Sequence, residues 1–124
     1  MNAANDRLEH MAGVAGAISR AAGPSLQEES RLLVAQYGPV KEGTATWTSA
    51  GATCAIHPCH PFLPCHHMLL LPGRLPFQGV IHAVGPMWSG GYRGEDELLR
   101  GAVTSVLELA SNFGVRLRSD NTIR

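Results

Sequence analysis

The 124-residue chain has no net charge, no framework of paired cysteines and no long apolar run, and each absence removes a class of function. Ten basic and ten acidic side chains cancel, so no overall positive field would draw the chain onto nucleic acid or anionic lipid. The most apolar stretch, Met68-Leu69-Leu70-Leu71, stops at Pro72, far short of the roughly 18 residues a membrane span needs. The opening MNAANDRLEH lacks the basic start and apolar block of a secretory signal. Three cysteines, all within Cys54–Cys65, are odd in number and too local for a disulfide scaffold. A nuclear or cytoplasmic setting is therefore expected. What the chain does have is 44% apolar residues, enough for a globular core, in a length that suits one domain.

Punctuation by glycine and proline divides the chain. Val14, Ala17, Ile18 and Ala21 recur at helical spacing, which predicts a short helix closed by Gly23-Pro24. Ser25-Leu26-Gln27-Glu28 reads as a capping box opening a second helix, with Leu26, Leu32, Leu33 and Tyr37 apolar and Gly38-Pro39 as its stop. Gly43–Thr48 is rich in β-branched and aromatic residues and predicts a strand ending at Ser49-Ala50-Gly51. Gly79–Val84 predicts another, apolar except for His82, as suits a strand covered on both faces of an α/β sheet. From Glu95 to Phe113 a stripe of Leu98, Leu99, Ala102, Val103, Val106, Leu107, Ala110 and Phe113 predicts a long amphipathic helix with its stripe in the core. Acidic Glu95, Asp96 and Glu97 suit its positive end and Gly114 its stop. Val115 could open one more strand, before a polar stretch at 117–124.

Two segments carry chemistry. The first is the polar Asn-Ala-Ala-Asn turn followed by small residues at a helix start. It lets backbone N–H groups approach a ligand closely, while asparagine amides both donate and accept, as ribose hydroxyls require. On the residues alone the same pattern also reads as an ordinary turn and a tightly packed helix start. The second is 52–74, with all three cysteines, four histidines and four prolines. Cys54, His57, Cys59, His60, Cys65, His66 and His67 include enough zinc-type ligands, but no pair-of-pairs spacing appears and the prolines fix no knuckle. An irregular insertion without a metal is expected. His82 is expected to be a hydrogen-bonded core histidine, and Trp88 to pack the domain rather than stack on a base.

Asn2-Ala3-Ala4-Asn5-Asp6-Arg7-Leu8-Glu9-His10, Gly13-Val14-Ala15, Ala21-Ala22-Gly23-Pro24, Gly43-Thr44-Ala45, Ser49-Ala50-Gly51 and Val80-Ile81-His82-Ala83-Val84-Gly85-Pro86 together, and in this order, resemble a macrodomain. The flavour is that of macrodomains borne by ADP-ribosyltransferases. The resemblance implies a three-layer α/β/α fold with a mixed sheet, and ADP-ribose, free or on mono-ADP-ribosylated proteins, as ligand and partner. No cofactor, no direct nucleic-acid binding and no membrane partner are implied. Carried over residue by residue, Asn5 would bond the distal ribose, and the backbone of Ala12, Gly13, Val14 and Ala15 would lie along ribose and phosphate. Asn2 would brace the loop instead of touching the ligand. Where the family usually has a glycine triplet, this chain has Met11-Ala12-Gly13, and Met11 narrows the backbone's choices.

One class of hydrolytic macrodomain carries an aspartate directly after the Gly-Val pair, where Ala15 stands here. A methyl group cannot orient water or take a proton. The reading therefore favours recognition of ADP-ribose over hydrolysis. The alternatives are an ADP-ribosyl hydrolase with Asn5 as its catalytic residue, and a non-functional isoform or fragment. Relative to the family pattern, residues 1–116 read as a macrodomain truncated at both ends and interrupted by the insertion at 52–74, with 117–124 matching nothing. An incomplete sheet predicts marginal stability.

Overall fold

A computed structural model describes residues 1–50 and 79–114. The 52–74 insertion, its candidate metal ligands, the strand expected from Val115 and the polar stretch at 117–124 lie outside these residues. In chain order the elements are β1 (Asn2–Ala4), α1 (Gly13–Ala22), α2 (Pro24–Tyr37), β2 (Thr44–Ser49), β3 (Gly79–Val84) and α3 (Glu95–Asn112).

The sheet is mixed, with strand order β1-β3-β2 among the described residues. β1 runs parallel to β3, pairing Asn2 with His82 and Ala4 with Val84; β2 runs antiparallel to β3, from Thr44 opposite Val84 to Ser49 opposite Gly79. β3 is central because its sequence suits cover on both sides: Val80, His82 and Val84 are buried, Ile81 and Ala83 half-buried. Helices α1 and α2 pack against one face and α3 against the other, which is the expected three-layer arrangement. On the first side, Ala22, Leu26, Ala50 and Val80 form the core cluster, with Ile18 against it. On the second, Ser105 Oγ accepts from Ala45 N–H at 3.0 Å, and Phe113 stacks on Trp47 with ring centroids 5.0 Å apart. The Trp47 indole lies so close over Gly79 that a Cβ there would sit 2.0 Å from Nε1, so only glycine fits.

Several expectations need correction. Helix α1 buries Gly16 and Ala22 and half-buries Ala15, Ile18 and Ser19, whereas Val14, Ala17 and Ala21 face solvent. The face is rotated because α1 must contact both β1 and α2. The Ser25 capping box does not form: Gly23 is the N-cap, Pro24 occupies the first turn, and Ser25 is already inside the helix. Proline's fixed φ starts α2 two residues earlier than the side-chain pattern suggested. Leu26 and Leu33 are buried, but Leu32 and Tyr37 are exposed. The α3 stripe splits lengthwise. Ala102 is buried and Leu98 and Val106 are half-buried, while Leu99, Val103, Leu107 and Phe113 remain exposed among the described residues. Among the described residues, the three strands cover only part of the apolar stripe that α3 presents. At the helix end, Gly114 adopts φ 65° and supplies the expected stop.

Trp88 does not pack the domain as expected. It is 71% exposed, on a loop that also exposes Met87 and Tyr92. The Glu95 carboxylate anchors this loop, accepting from Ser89 N–H (2.9 Å), Ser89 Oγ–H (2.7 Å), Gly91 N–H (3.3 Å) and Arg93 N–H (2.8 Å). These bonds hold its carboxyl acid strength well up, with the pKa pushed down to about 2, chiefly through Ser89. The loop is fixed by polar bonds to its own backbone, so no buried aromatic is needed to hold it.

Candidate functional site

The parallel register places Ala4 beside Val84, so the chain leaves β1 and β3 at the same end of the sheet. In open α/β sheets such an end, outside the carboxyl ends of parallel strands, is where ligands bind. From β1 the chain passes directly into Asn5 and then through residues 6–12 to the start of α1.

Asn5 is exposed and organises the turn that follows. Its Oδ1 accepts from Glu9 N–H at 2.8 Å, its backbone C=O accepts from Leu8 N–H at 3.1 Å, and its Nδ2 donates to Glu9 Oε2 at 3.4 Å. Leu8 is fully buried with φ 54°, the one non-glycine residue at positive φ among those described. A leucine in that region costs about 1 kcal/mol or more, so its surroundings must hold it there. At the far end of the loop, Gly13 takes φ 59° at the first position of α1, with nothing near the place a Cβ would occupy. The glycine is required by backbone conformation, not by crowding. Of the Met11-Ala12-Gly13 run, only Gly13 has positive φ, so Met11 imposes no strain; it points outward, 85% exposed.

Helix α1 has no side-chain N-cap bond and no acidic residue in its first turn. Its first internal bond is Gly16 N–H to Ala12 C=O at 2.9 Å, which leaves the amides of Gly13, Val14 and Ala15 without an intrahelical acceptor. Ala12, Gly13 and Val14 are exposed and Ala15 is half-buried. The helix dipole adds partial positive charge at that point, so the geometry favours an anion. The Ala15 methyl group brings no acid or base. Glu9, which the sequence reading passed over, is the carboxylate bonded to Asn5; only the fold of the turn reveals it.

Behind the loop lies a buried polar chain. Asn2 is fully buried; its Nδ2 donates to His82 Nδ1 at 3.0 Å and, more weakly, to His10 Nδ1 at 3.4 Å. His10 Nε2 bonds Ser30 Oγ at 3.0 Å, His82 Nε2 bonds Thr48 Oγ1 at 2.7 Å, and the two imidazoles stack with centroids 4.8 Å apart. With Asn2 donating to both Nδ1 atoms, both rings must be neutral and carry their proton on Nε2. Burial pushes the His82 pKa down to about 3, helped by the adjoining His10 and the N-terminal amine, and burial also lowers that of His10. His82 is thus the core histidine expected, and Asn2 sits where it braces the loop. Sequence reasoning missed His10, Ser30 and Thr48, because nothing local links positions so far apart.

A separate shallow apolar depression, bordered by Leu33, Tyr37, Val40 and Ala45, includes none of the loop residues expected to bind ligand. Among the described residues no group of three or more His, Cys, Asp or Glu side chains could hold a metal. None of the described helices is long and apolar enough to cross a membrane.

Comparison with known proteins agrees with this arrangement. The sequence model of the family described as Macro domain matches residues 1–68 and 60–118, and the chain belongs to that family. It is 37% identical to an O-acetyl-ADP-ribose deacetylase of Enterobacter cloacae over 94% of this chain and 52% of that protein. It is also 37% identical to the Homo sapiens protein mono-ADP-ribosyltransferase PARP14, over 94% of this chain but 5% of that one. Among solved structures, a mutant Oceanobacillus iheyensis macrodomain with ADPR superposes with a TM-score of 0.68 at 28% identity, covering 92% of this chain and 51% of that one. The chain spans about half the length, or less, of these relatives.

Proposed function

We propose that this chain is an ADP-ribose recognition module whose targets are free ADP-ribose and mono-ADP-ribosylated proteins. The observation that carries this reading is the pairing of exposed Asn5, at the carboxyl end of β1, with the uncapped, acid-free start of α1 at Gly13. Asn5 supplies an amide for the distal ribose. The amides of Ala12 to Ala15 meet ribose and phosphate, where the helix dipole favours negative charge. No cofactor takes part.

Calorimetry with ADP-ribose tests the reading. Binding is expected for the native sequence and a large loss for Asn5→Ala. Because a ligand stabilises the native state by RT ln(1 + [L]/Kd), saturation near 100 times Kd raises stability by about 2.7 kcal/mol. No heat and no melting shift at millimolar ADP-ribose would leave a non-functional form as the remaining reading.

A second reading, ADP-ribosyl hydrolysis with Asn5 as its catalytic residue, is favoured by relatives bearing the name O-acetyl-ADP-ribose deacetylase. Ala15 counts against it, since no acid stands at that point of the loop. Release of ADP-ribose from a modified protein, abolished by Asn5→Ala, would establish turnover.

A further inference from the structure

One side chain outside the binding loop grips its most strained point. Gln27, in the first turns of α2, donates from Nε2 to Leu8 C=O at 3.1 Å and accepts at Oε1 from His10 N–H at 3.1 Å. A single amide therefore brackets Glu9 and fixes the carbonyl end of Leu8, whose positive φ turns the chain between Asn5 and Gly13. Asn5 closes the turn itself, its carbonyl accepting from Leu8 N–H and its Oδ1 from Glu9 N–H. The His10 side chain is tied down by Ser30, also on α2. The Gln27 and Ser30 side chains of α2 thus hold Leu8 and His10, between Asn5 and the start of α1.

We infer that Gln27 is a positioning residue for ligand capture, holding the Leu8–His10 backbone so that Asn5 and the amides of Gly13 and Val14 face one ligand together. This rests on the ADP-ribose reading above. Gln27 itself does not meet the ligand. Its part is preorganisation: a loop already fixed loses less freedom on binding, and the gain appears in affinity. Without the clamp, Leu8 can relax to negative φ, which redirects the peptide planes on either side and moves Asn5 relative to the helix start.

The test uses the full chain with Gln27→Met, which keeps length and packing but removes the amide, and Gln27→Glu, which keeps an acceptor for His10 N–H but loses the donor to Leu8. ADP-ribose affinity, urea stability and amide exchange at residues 5–14 are measured for each. The expected result is a Kd raised about tenfold, equivalent to about 1.4 kcal/mol, in both variants. Amide exchange at Leu8 and His10 should quicken in the free protein and slow again at saturating ADP-ribose. A purely structural role would lower the urea midpoint and leave the Kd of the folded protein unchanged, which would overturn the proposal. Failure of both variants to fold would also overturn it, by making Gln27 a folding residue. If the native sequence shows no binding at all, the ADP-ribose reading fails on its own. Unchanged exchange at 5–14 in Gln27→Met would then reject the clamp separately.

Discussion

Acidification from pH 7 to pH 5 should destabilise this protein through His82. The side chain is fully buried, accepts from Asn2 at Nδ1 and meets Thr48 at Nε2, so a second ring proton would face the Asn2 N–H group. In the unfolded chain the imidazole titrates at the usual 6.5, whereas burial, His10 and the N-terminal amine lower the folded value to about 3. Between those values the unfolded state binds more protons than the folded one, so stability is complete above pH 6.5 and falls as the pH drops. At pH 5 the loss from His82 is about 2 kcal/mol, or roughly 8 °C in melting temperature. His10, also lowered by burial, acts in the same direction. Urea unfolding followed by circular dichroism at pH 7, 6 and 5 measures the total. The difference between the native sequence and His82→Gln, which cannot titrate, isolates this side chain. Equal pH slopes in the two proteins, or an NMR titration placing the His82 imidazole near 6.5, would refute the reasoning.

Three further outcomes are expected. Leu26→Ala empties a fully buried position against Ala22, Ala50 and Val80 and should cost about 2–4 kcal/mol in urea unfolding. Glu95→Gln removes a carboxylate that four donors surround. Amide exchange at Ser89, Gly91 and Arg93 should quicken, and the stability that the native carboxylate loses as pH falls from 4.5 toward 2 should no longer depend on pH. Trp88→Ser, at a 71% exposed position, should change stability by no more than about 0.5 kcal/mol, which a thermal melt can check.

The sequence by itself determined the periodic and the punctuated features. β3 was legible because a short apolar run bounded by Gly79 and Gly85 has few alternatives, and α3 because its stripe, acidic start and Gly114 agree with one another. The macrodomain motifs gave the order of the elements and pointed to Asn5 and Gly13, which the structure places at the two ends of one loop.

Tertiary structure decided everything that depends on what lies across a gap in sequence. Which side of α1 and α3 is covered depends on the width and angle of the sheet beneath them, and that is why Val14, Leu99 and Val103 lie outside. Local pattern could not foresee that Glu95 would hold the 89–93 backbone and leave Trp88 in solvent. Nor could it join Asn2, His10, Ser30, Thr48 and His82 into one buried chain, or tie Gln27 to the backbone of Leu8 and His10. Hydrogen bonds between distant residues leave no periodic trace in a sequence; they form only once the fold brings buried polar groups together.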